Sequence, residues 1–293
     1  MPETMQAEAA SSVRADWVAR LTLLRPANAV MAAAGTAAGM LVTRTGPLPL
    51  ESWIAAPAAA ALIASFGNVL NDRNDVALDR RAHPGRPLPS GRVSLDEARA
   101  LAWLLAIAGL ACAGLAGVAP MLLAAGNVAL LALYESGLKA HGLAGNLLIG
   151  YLVASTFLFG AAATGQPPAA WNMAWVIAAM ALLVNVGREL LKDLEDKDAD
   201  AGFRRTFAMR QPAPIVRLVA FGAVAIAVAL SLTPILRRPP TWSTAWLGLL
   251  APADGILLLG AMAARRSVPY AQRMLKAGMA VALVAFAGAA WRT

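Results

Sequence analysis

The chain has 293 residues and a formal net charge of +8; 59% of the residues are hydrophobic and only 14% are charged. Soluble proteins carry charge on about a quarter of their residues, so this composition excludes a water-soluble globular protein. It also excludes a disordered chain, which needs low hydrophobicity, and a disulfide-bonded scaffold, because Cys112 is the only cysteine.

Apolar stretches follow one another along the chain, separated by Pro, Gly and charged residues. An α-helix rises 1.5 Å per residue, so a stretch of about 20 residues crosses a hydrocarbon layer about 30 Å thick. The pattern predicts an all-α polytopic membrane protein, a bundle of nine transmembrane helices at residues 21–42, 53–70, 98–116, 120–138, 143–163, 171–191, 218–235, 245–264 and 274–291. We expect residues 1–20 to form a cytoplasmic tail and residues 21–293 to form one domain.

The positive charges indicate the orientation of this bundle. If the N-terminus is inside, 21 of the 25 Lys and Arg residues face the cytoplasm, and the outer segments hold only Arg44, Arg237, Arg238 and Arg292. The positive-inside rule therefore predicts a cell (inner) membrane protein with the N-terminus in the cytoplasm and the C-terminus outside. The first apolar stretch is too long for a secretory signal and lacks a cleavage site. No basic soluble face is present, so we expect no nucleic-acid partner.

Acidic residues are concentrated at the ends of the second and sixth predicted helices. Two short segments hold nine of the 17 Asp and Glu residues: Asp72, Asp75, Asp79, Glu189, Asp193, Glu195, Asp196, Asp198 and Asp200. In the first segment, Asn68 precedes Asp72, Asp75 and Asp79. In the second segment, Glu189 precedes Asp193, Asp196 and Asp200 with the same spacing. At about 100° per residue, each set of four forms one stripe on one helix face.

These two matched stripes favour a metal site. Closely stacked carboxylates repel one another unless they bind cations, and oxygen ligands select hard ions such as Mg²⁺. A solvated acidic helix end could explain either stripe alone, and the two His and one Cys offer no zinc site. Arg and Lys surround both stripes, which suits a Mg²⁺–diphosphate substrate. No Walker-type loop is present, so a nucleotide is not expected.

The segment after the first stripe reads RPLPSG from Arg86 to Gly91. Its prolines predict a stiff connection, and Ser94 with Glu97 predicts a capping box that opens the third helix.

Two aspartate motifs carry a resemblance to a known family. Residues 71–79 read NDRNDVALD, which fits NDxxDxxxD and is followed by RPLPSG, and residues 196–200 read DKDAD, which fits a second DxxxD. Over about residues 20–290 the chain resembles the UbiA superfamily of intramembrane prenyltransferases, which are nine-helix bundles. The resemblance includes Leu24-Arg25-Pro26, Tyr134 with Lys139, and Gly145-Asn146. It departs at His83-Pro84, where many relatives have Arg-Pro.

The resemblance implies prenyl transfer. Mg²⁺ held by both motifs binds an isoprenyl diphosphate, the carbon–oxygen bond ionises, and an acceptor captures the allylic cation. The implied metal and catalytic residues are Asn71, Asp75, Asp79, Asp193, Asp196 and Asp200, with Asp72 beside them. We expect substrate contacts from Arg25, Asn68, Asn71, His83, Arg86, Tyr134, Lys139, Asn146, Arg188, Glu189 and Lys192. The contact at His83 is expected to be weaker or pH-dependent, and Arg81 or Arg86 could replace it.

The acceptor is suggested by the second motif. Residues 188–196 read RELLKDLED, which is similar to the digeranylgeranylglyceryl phosphate synthase branch, in which a geranylgeranyl group goes to the free hydroxyl of geranylgeranylglyceryl phosphate in ether-lipid synthesis. Arg188 and Lys192 share a helix face and could hold that phosphate, or they could simply pair with Glu189 and Asp196. An aromatic acceptor, as in quinone, tocopherol or chlorophyll synthesis, is the alternative. A cation transporter is the non-enzyme alternative.

Three other polar residues fall inside predicted helices. We expect Asp254 to make a structural hydrogen bond, and Asn127 and Asn185 to bridge helices within the lipid-embedded bundle. Prenyl chain length and oligomeric state are not predicted.

Overall fold

The computed structural model describes residues 17–140, 142–198, 206–233 and 243–291, and the regular structure in this part of the chain is helical throughout. Nine of the helices described there are long. In chain order they are α1 (Pro26–Thr43), α2 (Leu50–Asn74), α3 (Leu95–Ala116), α4 (Val118–Ser136), α5 (Leu143–Ala163), α6 (Asn172–Glu195), α7 (Ala213–Leu230), α8 (Ser243–Ala263) and α9 (Val268–Trp291).

Short helices join some of these elements. Residues 17–24 are helical ahead of α1, and Val76–Ala82 follows α2. Phe207–Arg210 precedes α7, and single 3₁₀ turns occur at Leu138–Ala140 and Pro168–Ala170.

The long helices form a closed ring. Each helix from α1 to α8 packs against the next one along the chain, and α9 packs back against α1. Additional contacts of α1 with α5 and of α6 with α9 tie opposite sides of the ring together. The ring therefore encloses a space between helices that are distant in sequence.

Six of the helices, α2 to α7, are long and apolar enough to cross a membrane by length and composition. The apolar part of α8, Gly248–Ala263, is shorter. The chain is accordingly an all-helical, multi-pass membrane protein. The prediction that α1, α8 and α9 also span stays a prediction.

Several helix boundaries differ from the predicted ones. The first predicted stretch is interrupted at Arg25, which has a φ of 48°, because Pro26 has no N–H to continue the preceding helix. The last helix begins at Val268 rather than 274, where the Ser267 hydroxyl accepts the Tyr270 N–H at 3.4 Å. Similarly, α7 begins at Ala213 rather than 218. Hydropathy missed these first turns because an arginine, Arg217 in α7 and Arg273 in α9, separates each of them from the apolar stretch that follows.

The spacing predicted that each acidic stripe lies on one continuous helix. The structure shows that this prediction was wrong. The backbone turns at Asp75, with φ −89° and ψ 5°, so Asp79 belongs to the short helix that follows α2. In the second set, α6 ends at Glu195 and Asp196 takes the same backbone conformation, φ −85° and ψ 2°. Asp200 lies outside the described residues. The end of a helix gives its last carboxylates a direction that helical periodicity alone does not specify.

Glycine allows α1 and α5 to cross in close contact. A Cβ added at Gly39 would lie 2.1 Å from the Phe157 carbonyl oxygen, and one at Gly160 would lie 2.0 Å from the Thr36 carbonyl oxygen. The Thr36 hydroxyl donates to the Thr156 carbonyl at 3.2 Å across the same crossing. Small residues of this kind bring backbones together in membrane bundles. The crossing fixes one wall of the enclosed space.

Candidate active site

A cavity of about 890 Å³ lies inside the ring, between α1, α2, α4, α5, α6, α8 and α9. Its charged end is where α2, α4 and α6 end and where α1 and α9 begin, and it is lined by Arg25, Asn28, Asn68, Asn71, Tyr134, Glu135, Arg188, Glu189, Lys192 and Lys276. The rest of the wall is mostly apolar, as at Ile63, Leu131, Phe157, Met180 and Phe286. A cavity of this kind suits a long apolar molecule with a charged end.

Arg25 and Asp72 form an ion pair at this charged end. The Asp72 side chain is only 8% exposed, and Arg25 reaches it from the break between residues 17–24 and α1. A left-handed backbone is costly for a residue with a side chain, so the pair helps to keep the break in place. The structure thus brings together one predicted catalytic residue and one predicted substrate contact.

Lys139 is held by two carboxylates. Its ammonium lies 2.6 Å from Asp75 Oδ2 and 3.2 Å from Glu135 Oε2. Glu135 also accepts a hydrogen bond of 2.9 Å from the Asn71 amide. Tyr134 lines the cavity, and the Lys139 ammonium lies 6.0 Å from the centre of its ring. The predicted Tyr–Lys pair is therefore beside the first aspartate motif.

Asp79 is paired with Arg86 of the RPLPSG segment. One guanidinium nitrogen, Nη1, donates to both carboxylate oxygens of Asp79, at 2.8 and 2.7 Å. This pair anchors the segment to the end of the first motif. His83 lies nearby but is exposed, beside Arg86 and Arg92 in a shallow depression.

The RPLPSG segment makes hydrogen bonds within itself, and the stiffness that its prolines predict stays a prediction. The Ser90 N–H donates to the Arg86 carbonyl at 3.0 Å, and Leu88 is buried. The predicted capping box is confirmed, because the Ser94 hydroxyl accepts the Glu97 N–H and the Glu97 carboxylate accepts the Ser94 N–H.

The last two turns of α6, which lead into the second motif, contribute to the wall of the cavity. Arg188 and Lys192 share one buried carboxylate, Glu189; Lys192 lies 4.0 Å from it, and Arg188 is in direct contact. One turn further on, Asp193 accepts a hydrogen bond of 3.0 Å from the Asn146 amide of α5. Arg188, Glu189 and Lys192 form part of the cavity wall. Asp193 lies just past that wall, towards the end of α6.

The ligand types suit Mg²⁺, but the described residues do not form a complete cage. Among them, no three acidic, His or Cys side chains converge closely enough to hold one ion. Mg²⁺ is commonly held by one or two carboxylates together with substrate phosphate oxygens and water, rather than by protein alone. The oxygen ligands at Asn71, Asp75, Asp79, Asp193 and Asp196 fit that mode, and sharing of one site by both motifs stays a prediction.

Sequence reasoning missed two residues of the charged end. Glu135 is not among the residues that the sequence predicts, although it directly follows Tyr134 and lies four residues before Lys139, a spacing at which opposite charges meet in helices. The sequence predicts only an orientation role for Lys276, yet it lines the cavity from α9. A lone cation in the first turns of a membrane helix gives no sequence signal of which way it faces.

The other polar predictions have different outcomes. Asn127 bridges α4 and α5 as expected, donating to the Ser155 hydroxyl at 2.9 Å. Asp254 makes the expected structural hydrogen bond, accepting from Ser231 at 2.7 Å. The prediction for Asn185 was wrong: its amide oxygen accepts from Arg188 Nε at 3.1 Å, within α6 itself. A cation one turn away reaches this amide more readily than a neighbouring helix does.

Comparison with known proteins gives consistent similarities. The model of the UbiA prenyltransferase family matches residues 32–280. The digeranylgeranylglyceryl phosphate synthase of Methanopyrus kandleri is 37% identical over 274 residues, covering 92% of this chain and 97% of that protein.

Solved structures agree with the fold. One from a study of digeranylgeranylglyceryl phosphate synthase in membranes has a TM-score of 0.74 and 27% identity, and covers 94% of this chain and 99% of that one. A UbiA homologue from Archaeoglobus fulgidus, bound to GPP and Mg²⁺, has a TM-score of 0.69 and 16% identity, and covers 92% of this chain and 99% of that one. The second similarity is one of fold.

Proposed function

The chain belongs to the UbiA prenyltransferase family, and on that premise we propose that it moves a geranylgeranyl group from its diphosphate to the free hydroxyl of geranylgeranylglyceryl phosphate, a step of ether-lipid synthesis. It is a membrane prenyltransferase similar to digeranylgeranylglyceryl phosphate synthases. Family membership decides against the cation-transporter alternative. The observation that carries the choice of acceptor is that three cations, Arg188, Lys192 and Lys276, line the charged end of the cavity.

The donor diphosphate is proposed to lie between the ends of α2 and α6. Mg²⁺ would be held there by Asn71, Asp75, Asp79, Asp193, Asp196 and Asp200. The chemistry that the metal supplies when bound is neutralisation of the diphosphate charge as the carbon–oxygen bond breaks. The A. fulgidus homologue of the same fold was solved bound to GPP and Mg²⁺, which supports a prenyl diphosphate with Mg²⁺ as the donor.

The chain's own cations complement that role. Lys139 contacts Asp75, and Arg86 contacts Asp79, so each carboxylate of the first motif that would hold metal already has a positive group beside it. Both cations are therefore placed to donate charge-assisted hydrogen bonds to a diphosphate bound at those carboxylates.

The apolar part of the cavity receives the prenyl chain. Side chains such as Phe157, Met180 and Phe286 line it, and such a wall excludes water from a reactive allylic cation. In the transfer, the carbon–oxygen bond of the donor breaks and the diphosphate leaves with the electron pair. The acceptor oxygen then forms the new carbon–oxygen bond and loses its proton.

The acceptor phosphate is assigned to the cations of α6 and α9. Arg188 and Lys192 share the single carboxylate of Glu189, so this group retains a net positive charge, to which Lys276 adds. The pairing with Glu189 that the sequence suggested is present, but it does not neutralise both cations. A phosphate bridging α6 and α9 would complete the charge balance.

We also propose the orientation and span count that the sequence predicted. The charged end of the cavity lies on the side of the bundle where α9 begins. The RPLPSG segment is on the same side, and most Arg and Lys residues are found there. This arrangement supports nine spans, with the N-terminus and the active site in the cytoplasm. The predicted tail of residues 1–20 is wrong at its end, because residues 17–20 already belong to the helix of residues 17–24.

The proposal is tested by product identity. Membranes containing the protein are given geranylgeranyl diphosphate, Mg²⁺ and, in parallel, geranylgeranylglyceryl phosphate, 4-hydroxybenzoate or 1,4-dihydroxy-2-naphthoate. We expect a product mass that corresponds to one added geranylgeranyl group only with the lipid phosphate. A product from an aromatic acceptor alone would overturn the assignment of the acceptor.

A further inference from the structure

Glu135 is a buried carboxylate next to the first aspartate motif but belongs to a different helix. It lies in the last turn of α4, and its side chain is only 2% exposed. A negative charge at a helix C-terminus opposes the helix dipole, and burial of a carboxylate is costly without partners. Its position therefore needs compensation by specific contacts.

Those contacts are all with the first motif or with Lys139. Glu135 Oε1 accepts a 2.9 Å hydrogen bond from the Asn71 amide, and Oε2 lies 3.2 Å from the Lys139 ammonium. Lys139 in turn lies 2.6 Å from Asp75. Glu135 thus contacts Asn71 directly and Asp75 through one ammonium group.

The contact with Asn71 determines which end of its amide is available. An Asn side chain has one donor end and one acceptor end, whereas an ionised carboxylate only accepts. Because Glu135 takes the NH₂ end, the carbonyl oxygen of Asn71 is turned away from it. That oxygen is the only side-chain atom of Asn71 that can bind a hard cation.

We propose that Glu135 is a positioning residue for the donor site: it fixes the amide orientation of Asn71 and holds Lys139 beside Asp75. The inference rests on the proposed function, since it assumes that Asn71 and Asp75 hold Mg²⁺ and diphosphate. Partners that orient metal ligands in this way change metal affinity by about 10- to 100-fold when they are replaced.

The variant Glu135→Gln separates positioning from simple helix pairing. Glutamine keeps the size of the side chain and can still join α2 to α4. Its amide accepts at one end only, so an oxygen directed at Lys139 places an NH₂ group against Asn71. The Asn71 amide then has to turn its carbonyl oxygen towards residue 135 to accept from that NH₂ group, and this oxygen is no longer available to a metal.

Mn²⁺ binding provides a readout that does not depend on turnover. Purified full-length protein is mixed with a geranylgeranyl diphosphate analogue whose bridging oxygen is sulfur, and free Mn²⁺ is measured by electron paramagnetic resonance. We expect Glu135→Gln to weaken Mn²⁺ binding about tenfold and to leave the melting temperature without metal close to that of wild type. Glu97→Gln, which changes a carboxylate paired with Arg20 at the start of α3, is the matched control and should bind Mn²⁺ normally.

A double variant tests whether the effect passes through Asn71. If it does, the losses in Asn71→Ala and in Glu135→Gln will combine to less than their product. Should Glu135→Gln not fold, Glu135→Asp, which keeps the charge but withdraws it by one methylene, is expected to show the same weakening in a folded protein.

The outcomes are distinguishable. Normal Mn²⁺ binding in a folded Glu135 variant, or fully multiplicative losses in the double variant, would overturn the positioning role. Absence of Mn²⁺ binding in wild-type protein with the analogue would instead refute the proposed donor site, and the inference with it.

Discussion

The ammonium group of Lys139 lies 2.6 Å from a carboxylate oxygen of Asp75, the residue at which α2 ends. Similar pairs join Arg86 to Asp79 and Arg25 to Asp72. The first motif thus meets a substrate with its carboxylates already paired with cations. A bound metal ion would be a second positive partner for these carboxylates, and a bound diphosphate would be a second negative partner for these cations.

The first prediction concerns the aspartates. Asp75→Asn and Asp196→Asn, each alone, should lower turnover by at least about 100-fold, the scale of a lost electrostatic contact in a transition state. Turnover is measured as diphosphate release in the presence of donor and acceptor. Retention of near-wild-type turnover in either variant would contradict the proposal that both motifs serve one donor.

The second prediction concerns the acceptor cations. Lys192→Met and Lys276→Met should each raise the Michaelis constant for geranylgeranylglyceryl phosphate by about 10- to 100-fold, because a charge-assisted hydrogen bond is worth about 1.5–3 kcal/mol. The constant for geranylgeranyl diphosphate should change much less. Methionine keeps the apolar stem, so loss of packing should be small.

The matched control for these variants is Arg273→Met. Arg273 is exposed on α9 one turn before Lys276 and is not part of the cavity wall. It should leave both Michaelis constants unchanged. If the donor constant rises as much as the acceptor constant in the lysine variants, the cations belong to the diphosphate site and an aromatic acceptor becomes the better hypothesis.

How much of this arrangement the sequence predicted depends on the kind of signal. Both acidic segments were found because carboxylates are rare in apolar stretches, and the number of long helices followed from hydropathy. The turn at Asp75 and the partners of Asp79 and Asp193 were not predictable. The turn depends on where a helix ends, and the partners depend on which residue of another segment contacts the motif. Helical periodicity contains no information on either.

The direction in which Glu135 and Lys276 face could not be predicted from the sequence either. Each is one charged residue near a helix end, where charges usually face headgroups or water. Only the packing of α2 against α4, and of α9 against α1 and α6, turns them towards the cavity. Long-range contacts of this kind determine the function of both side chains.

The third prediction tests the close crossing of α1 and α5. Gly39→Ala should lower the melting temperature of the detergent-solubilised protein, because the added methyl group would overlap the Phe157 carbonyl; overpacking of this kind costs about 1–3 kcal/mol. Gly222→Ala in α7 is the control, since nothing lies within 4 Å of its added Cβ. Equal melting temperatures for the two variants would show that the crossing is not tight.

The fourth prediction tests orientation. In a Cys112→Ala background, a cysteine at exposed Ser90 should react with an impermeant thiol reagent only from the cytoplasmic side, and one at exposed Gly46 only from outside. Intact cells and inside-out vesicles are labelled in parallel. Reaction of Ser90→Cys in intact cells would reverse the proposed orientation.

The most direct measurement of the central claim is the position of the metal. Crystals grown with Mn²⁺ and the sulfur-bridged geranylgeranyl diphosphate analogue would locate the ions by their anomalous scattering. We predict Mn²⁺ at the charged end of the cavity, with oxygen ligands from Asn71 or Asp75 on one side and from Asp193 or Asp196 on the other, and with the diphosphate between them. Mn²⁺ bound by one motif alone, with the diphosphate elsewhere, would contradict the claim that the two motifs form one donor site.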